Sequence, residues 1–292
     1  MTEHRLHNAF HRWVSGFMFV LCVCAAAGII ALLVLVTGYL VSLGASSVSL
    51  KLFTELPIPP GMQGSPGGMR NAIVGTAILI ALASVVGIPV GMLAGVYLAE
   101  YEAGSWIATP VRFVSDVLAG VPSIVVGILG YELLVVPLGH FNGYAGAMAL
   151  AFIMIPIVAR TTEEMLRLVP NSYREASIAL GATKARTILR VVVPTAIGSI
   201  VTGIMLAIAR VAGETAPLLF TALGTRLMNV DPNQPFPSLT VQIYNYATGP
   251  YEEQKRQAWA GMLVLIALVF VLNLTMRFAV RSRRRRCSSG RR

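Results

Sequence analysis

The stretch IARVAGETAPLL, residues 208–219, sets Arg210 four residues before Glu214 inside an otherwise apolar run. On a helix that spacing puts both side chains on one face, within reach of each other. An arginine in mid-membrane costs at least ~2.5 kcal/mol on insertion scales, so it is expected to face a water-filled cavity or a partner and to mark a functional position. A structural intramembrane ion pair is the competing reading, but a buried pair contributes little net stability and needs another reason to exist. Gly213 and Pro217 flank Glu214 and can loosen the helix there, leaving backbone groups to line a cavity.

Other chemistries lack their residues. A phosphate-cradling loop needs a lysine directly after glycine, yet Leu50, Thr183 and Gln254 precede the lysines of this chain. If ATP drives the protein, another chain must bind it, so no nucleotide cofactor is expected here. The hydrolase spacings GxSxG and HExxH are missing as well. His4, His7 and His11 share one helical face, but no carboxylate arrangement orients them and no metal is expected. Cys22, Cys24 and Cys287 lack CxxC spacing and read as packing residues and a free thiol.

The elements that must position Arg210 and Glu214 follow from hydropathy. The 292 residues are 55% hydrophobic and 12% charged, with a mean hydropathy of +0.71, more apolar than one soluble core requires. Six runs, roughly 16–42, 71–98, 110–136, 143–160, 195–223 and 257–280, can each cross a hydrocarbon layer of ~30 Å as a helix of about 20 residues. The expectation is an all-α membrane protein with six transmembrane helices. The first run is too long for a signal-peptide core and reads as a retained span. Arg5, Arg12, Arg112, Arg160, Arg167, Arg174, Lys184, Arg186, Arg190 and the arginines from Arg277 onward fall on one side of these spans. Lys51, Arg70, Arg226, Lys255 and Arg256 fall on the other. Lysine and arginine concentrate on the cytoplasmic side, so both termini are expected there. Most of the net charge of +10 lies in the tail RFAVRSRRRRCSSGRR. No aromatic residue interleaves its final arginines, which argues against nucleic acid and for a topological anchor touching anionic lipid.

Three regions are expected: 1–70, holding the first span and a Ser-, Gly- and Pro-rich external loop; a core at 71–280; and a basic tail at 281–292. Gly87, Gly91 and Gly95 form a small-residue seam that admits a second helix closely. Pro89, Pro122, Pro156 and Pro217 predict kinked spans. Between spans 4 and 5, RTTEEMLRLVPNSYREASIALGATKARTILRVVVP mixes charge and apolar residues at helical spacing, an amphipathic segment outside the bilayer. RLMNVDPNQPFPSLTVQIYNYATGPYEEQKRQ is a second external loop, turn-rich and aromatic.

Within the amphipathic segment, EASIALGATKARTILRVVVP places Glu175, Ala176 and Ser177, then Gly181, then Val191 to Pro194. This resembles the signature EAA-x3-G-x9-I-x-L-P of ABC importer permeases of type I, whose transmembrane domain is MetI-like, with Ser and Val as departures and the spacing intact. A glycine serves where the chain turns or a partner's backbone approaches, and proline ends the second helix. The resemblance implies a coupling helix at about 172–190, with Glu175, Ala176 and Gly181 engaging an ATPase subunit. GVYLAEY at 95–101, DVLAGVPSIVVGIL at 116–129 and LAIARVAGETAPLLFTA at 206–222 are similar to the phosphate-specific permeases of that group.

By that resemblance the chain is one of two permeases of a phosphate importer in the bacterial inner membrane. Its implied partners are a PstC-like second permease, a PstB-like ATPase dimer carrying ATP and Mg, and an extracytoplasmic PstS-like phosphate-binding protein. Arg210 then donates paired hydrogen bonds to passing phosphate. Glu214 neutralises it when the pathway is empty or accepts a proton from protonated phosphate. Arg160 is the second pathway arginine that the resemblance implies, with a positive-inside anchor as its alternative. Asp116, in a family-like stretch near the inner interface, joins the candidates, and Glu132 reads as structural. ATP-driven closure would move the coupling helix and tilt spans 3 to 5 between inward- and outward-open states. An importer for sulfate, molybdate or phosphonate shares the EAA loop but need not carry ARVAGETAP. A secondary transporter needs its own coupling-ion site. A phosphate-sensing membrane scaffold would tolerate loss of Arg210.

Overall fold

Three glycines one helical turn apart decide where the centre of the bundle lies. In the computed structural model, which describes residues 2–59, 67–101 and 106–289, Gly87, Gly91 and Gly95 of α3 (Arg70–Glu100) face α6 (Gly143–Arg167). A Cβ placed on Gly95 would stand 2.5 Å from the Ala159 carbonyl oxygen, and one on Gly91 would stand 2.8 Å from Val158 Cβ. No larger residue permits that approach, and the expected seam is present. Around it, Leu79, Leu150, Met154, Val158 and Ile200 form the main core. Side chains are described for residues 13–59, 67–101, 106–275 and 278. The His4, His7 and His11 side chains and those of the basic tail from 281 lie outside them, as does part of the first external loop.

The remaining elements surround this pair. They are α1 (Thr2–Gly44), the short α2 (Leu50–Thr54), α4 (Ala108–Gly120), α5 (Ser123–Leu138), α7 (Asn171–Ala179), α8 (Lys184–Ala212), α9 (Ala216–Thr221), α10 (Leu239–Thr248) and α11 (Glu252–Ser289). Among the described residues, five helices are long and apolar enough to cross a membrane, or six if α4 and α5 together count as one span. No strand occurs there beyond the isolated bridges Pro57 to Gly67 and Leu223 to Phe236. The most apolar window of α6 is 67% buried and that of α1 is not buried at all. α1 meets α11 through the edge-on contact of Tyr39 with Trp259 and the close seat of Gly44 against Leu263, and it keeps apolar residues such as Phe17 and Leu33 exposed.

Three expectations need correction. The run 110–136 is not one kinked helix: α4 and α5 meet at 105°. Pro122 has no N–H and forces Val121 out of the helical region, to φ −67° and ψ 131°, so the helix stops instead of bending. The run 195–223 is also interrupted. α8 ends at Ala212 and α9 starts at Ala216, where Pro217 occupies the first turn, the position a proline tolerates best. Pro194, by contrast, does not end its helix. A π turn over Ile188–Val192 carries α8 past it by re-routing the hydrogen bonds that the ring would break. Pro89 and Pro156 likewise lie within continuous helices.

Contacts sort the molecule into two ends. At one, Asn71 Nδ2 donates to the Thr225 carbonyl at 2.7 Å, Gln257 Nε2 to that of Gly67 at 2.6 Å, and the Gly143 N–H to that of Pro232 at 2.7 Å. This loop end also holds a second core of Leu52, Met69, Leu239, Ile243 and Tyr246. At the other, the α7 end, Arg174 binds Glu100. α6 runs toward the α7 end and α8 away from it.

Candidate translocation site

Arg210 occupies the last turn of α8, and Glu214 lies in the break that follows. The helix closes with the N–H of Gly213 donating to the Arg210 carbonyl and that of Glu214 to Val211, both at 3.1 Å. The freed Glu214 carbonyl accepts from the Thr240 hydroxyl of α10 at 3.0 Å, so a neighbouring element satisfies the opened backbone. The two side chains do meet, Arg210 Nε to Glu214 Oε1 at 3.9 Å. That is an ion pair too long to be a hydrogen bond. Arg210 keeps 57% of its side chain exposed and Glu214 15%. The arginine is held by charge alone and is free to accept a second anion.

Depth follows from helix register. Gly203 of α8 packs on Thr161 of α6, where an added Cβ would stand 2.6 Å from Thr161 Cβ. Arg210 is seven residues further toward the loop end, about 10 Å along an axis that rises 1.5 Å per residue. On the antiparallel α6 that is the level of Met154, close to the midpoint of Gly143–Arg167. Arg210 therefore lies near the mid-height of α6.

Arg160 lies one residue from the Thr161 level, within the last third of α6 rather than at its end. Its Nη1 donates to Asp116 Oδ1 of α4 and its Nε to Glu164 Oε1 at 3.1 Å. These groups are about half exposed. Beside them the Glu163 carboxylate, 9% exposed, receives Arg112 Nη2 at 2.7 Å and Arg167 Nη2 at 3.0 Å. Alternating carboxylates and guanidinium groups thus join α4 to α6, and such a cluster can exchange one anionic partner for another. The structure brings Arg160 and Asp116 together and leaves them a separate group from Arg210 and Glu214. Sequence reasoning missed Glu164, Glu163 and Glu100. For Glu164 and Glu163 the four-residue spacings Arg160–Glu164 and Glu163–Arg167 were the available signal, and Glu100 had none, since its partner Arg174 lies 74 positions away.

The segment expected as a coupling helix at about 172–190 is α7, a turn and the start of α8. Gly181 makes the turn at φ +82°, a conformation strained for any residue with a Cβ, and nothing stands within 4 Å of its missing side chain. Glu175 and Ala176 are exposed on α7, beside exposed Tyr173, Ile178 and Leu180. Arg174 points inward. It grips Glu100 through Nη2 at 2.6 Å and donates to the carbonyls of Val169 at 2.6 Å and Leu166 at 3.0 Å. Ser177 bonds Thr187 across the turn at 2.9 Å, and Lys184 sits 4.4 Å above the Tyr101 ring. The hairpin is therefore tied to the ends of α3 and α6.

The family described as "Binding-protein-dependent transport system inner membrane component" matches residues 87–288. The phosphate transport system permease protein PstA of Yersinia pestis is 43% identical over 277 residues, 95% of this chain and 93% of its own length. The chain belongs to the PstA permease family. A PstA 1 protein of Mycobacterium tuberculosis is 42% identical over 75% of this chain and 72% of its own. A solved inward-facing MetNI methionine ABC transporter is similar with a TM-score of 0.61 at 21% identity, over 73% of this chain and 95% of that one. At that identity it speaks for the fold, a MetI-like permease bundle. This permease is a multi-pass membrane subunit of an ABC transporter.

Proposed function

We propose that this chain forms, with a PstC-like second permease, the pathway by which an ATP-driven importer carries inorganic phosphate across the bacterial inner membrane. The observation that carries the reading is Arg210, at mid-bundle depth and held to Glu214 only across 3.9 Å. A loosely countered guanidinium can take two oxygens of phosphate and give them back. About 10 Å further along the axis, Arg160 offers a second station. There Asp116 and Glu164 compete with the passing anion and favour its release. The identity to PstA relatives favours phosphate over sulfate, molybdate or phosphonate.

Both termini and the α7 end face the cytoplasm in this reading, because lysine and arginine concentrate there. ATP and Mg belong to a PstB-like ATPase dimer that grips the exposed face of α7, with Glu175, Ala176 and the Gly181 turn at the contact. A PstS-like protein delivers phosphate at the loop end. Residues 71–280 act as the permease core and the basic tail contacts anionic lipid. ATP-dependent uptake of labelled phosphate, measured in vesicles carrying the full complex, tests the reading with Arg210→Gln at matched assembly. Uptake should collapse while the ATPase stays bound. Unchanged uptake makes the Arg210–Glu214 pair structural, and transport of a different oxyanion by the wild type overturns the substrate.

A further inference from the structure

At the loop end, Thr225, Arg226, Ser238, Gln242, Asn245 and Tyr246 help to enclose a cavity of about 240 Å³. Three of these residues are nearly sealed from solvent, Ser238 at 1%, Gln242 at 8% and Tyr246 at 3% exposure. Gln242 Nε2 and the Tyr246 hydroxyl nevertheless lack a hydrogen-bond partner. Each such group costs about 1–3 kcal/mol when left unsatisfied, so two orphaned donors carried by residues that line one cavity mark a place where acceptor atoms would be favoured. Burial pushes the Tyr246 phenol above its ordinary range, against the nearby Gln242 amide and the Arg226 charge, which favour the phenolate. The Gln242 amide is close enough to act on that oxygen, yet no hydrogen bond of acceptable geometry joins them.

Arg226 is the charged member of the set, and no carboxylate is among the described lining residues. One guanidinium with amide, phenol and hydroxyl donors is the chemistry of an oxyanion site. The same helix that supplies Gln242 and Tyr246 supplies Thr240, whose hydroxyl binds the Glu214 carbonyl beside Arg210. We propose that this cavity is a receiving site for a tetrahedral oxyanion, holding it at the loop end before it reaches Arg210. The proposal rests on the phosphate reading above for the identity of the ion and adds a station to the pathway.

The test uses the assembled complex in maltoside detergent, without ATP or binding protein, and measures equilibrium binding of labelled inorganic phosphate. Saturable binding should weaken at least tenfold in Arg226→Gln and several-fold in Gln242→Leu, and Arg210→Gln should remove at most a separate component, leaving one that still depends on Arg226. Gln242→Leu should also leave the melting midpoint unchanged or raised, since it removes an unsatisfied buried amide. Equal binding in wild type, Arg226→Gln and Gln242→Leu would overturn the proposal and make the cavity a solvent pocket. Binding lost in Arg210→Gln alone would overturn it too. Uptake by the same wild-type complex is scored separately: if it carries sulfate instead, the substrate fails, and the site is judged by the same variants with sulfate as probe.

Discussion

Arg174 offers the sharpest test of how movement passes from α7 into the bundle. Its guanidinium is 18% exposed and faces a Glu100 carboxylate that is 6% exposed. Arg174→Ala removes the pair, which joins α7 to the end of α3, and the bonds to the Val169 and Leu166 carbonyls. Deleting one partner of a buried pair costs 3–5 kcal/mol, and the partial exposure of Arg174 places this case at about 3 kcal/mol. That is roughly a hundredfold shift from docked to undocked α7. Glu100→Gln keeps one oxygen to accept from Arg174 and should cost less, about 1–2 kcal/mol. The assay is phosphate taken up per ATP hydrolysed by the full complex in vesicles. The ratio should fall at least tenfold in Arg174→Ala and by a smaller factor in Glu100→Gln. A wild-type ratio in Arg174→Ala, with assembly intact, would refute α7 docking as the link, and the reverse order of the two variants would refute the energetic accounting.

The glycine seam predicts a graded series in thermal unfolding of the complex. Gly95→Ala meets a backbone oxygen at 2.5 Å, Gly91→Ala meets Val158 Cβ at 2.8 Å, and Gly87→Ala meets the pliable Met154 side chain at 3.0 Å. Overpacking costs about 1–3 kcal/mol, so midpoints should fall in that order, and equal midpoints would contradict the close approach. Asp116→Asn should leave the melting midpoint within experimental error, since half-exposed ion pairs contribute about 0–1 kcal/mol, while slowing phosphate uptake. Unchanged uptake would remove Asp116 from the pathway. Glu163→Gln should lower the midpoint by more than Asp116→Asn, because its carboxylate is 9% exposed and answers both Arg112 and Arg167.

Hydropathy, glycine spacing and the EAA signature sufficed to read the membrane class, the α3 seam, the turn at Gly181 and the pairing of Arg210 with Glu214. Each depends on transfer energy or on contacts within a few residues, which a one-dimensional pattern records. Helix ends were less legible. Proline is a signal with several outcomes, and neighbouring contacts selected among them: a 105° turn at Pro122, a break before Pro217 and a π turn around Pro194.

Packing alone brought Arg160 to Asp116, 44 positions apart, Arg174 to Glu100, 74 apart, and Arg226 to the orphaned donors of α10. The physical reason is directional. An apolar run states that a helix will enter the membrane, but its charged residues find partners only when the faces of separate helices are aligned. That alignment is set by where glycine lets backbones touch and where proline turns the chain.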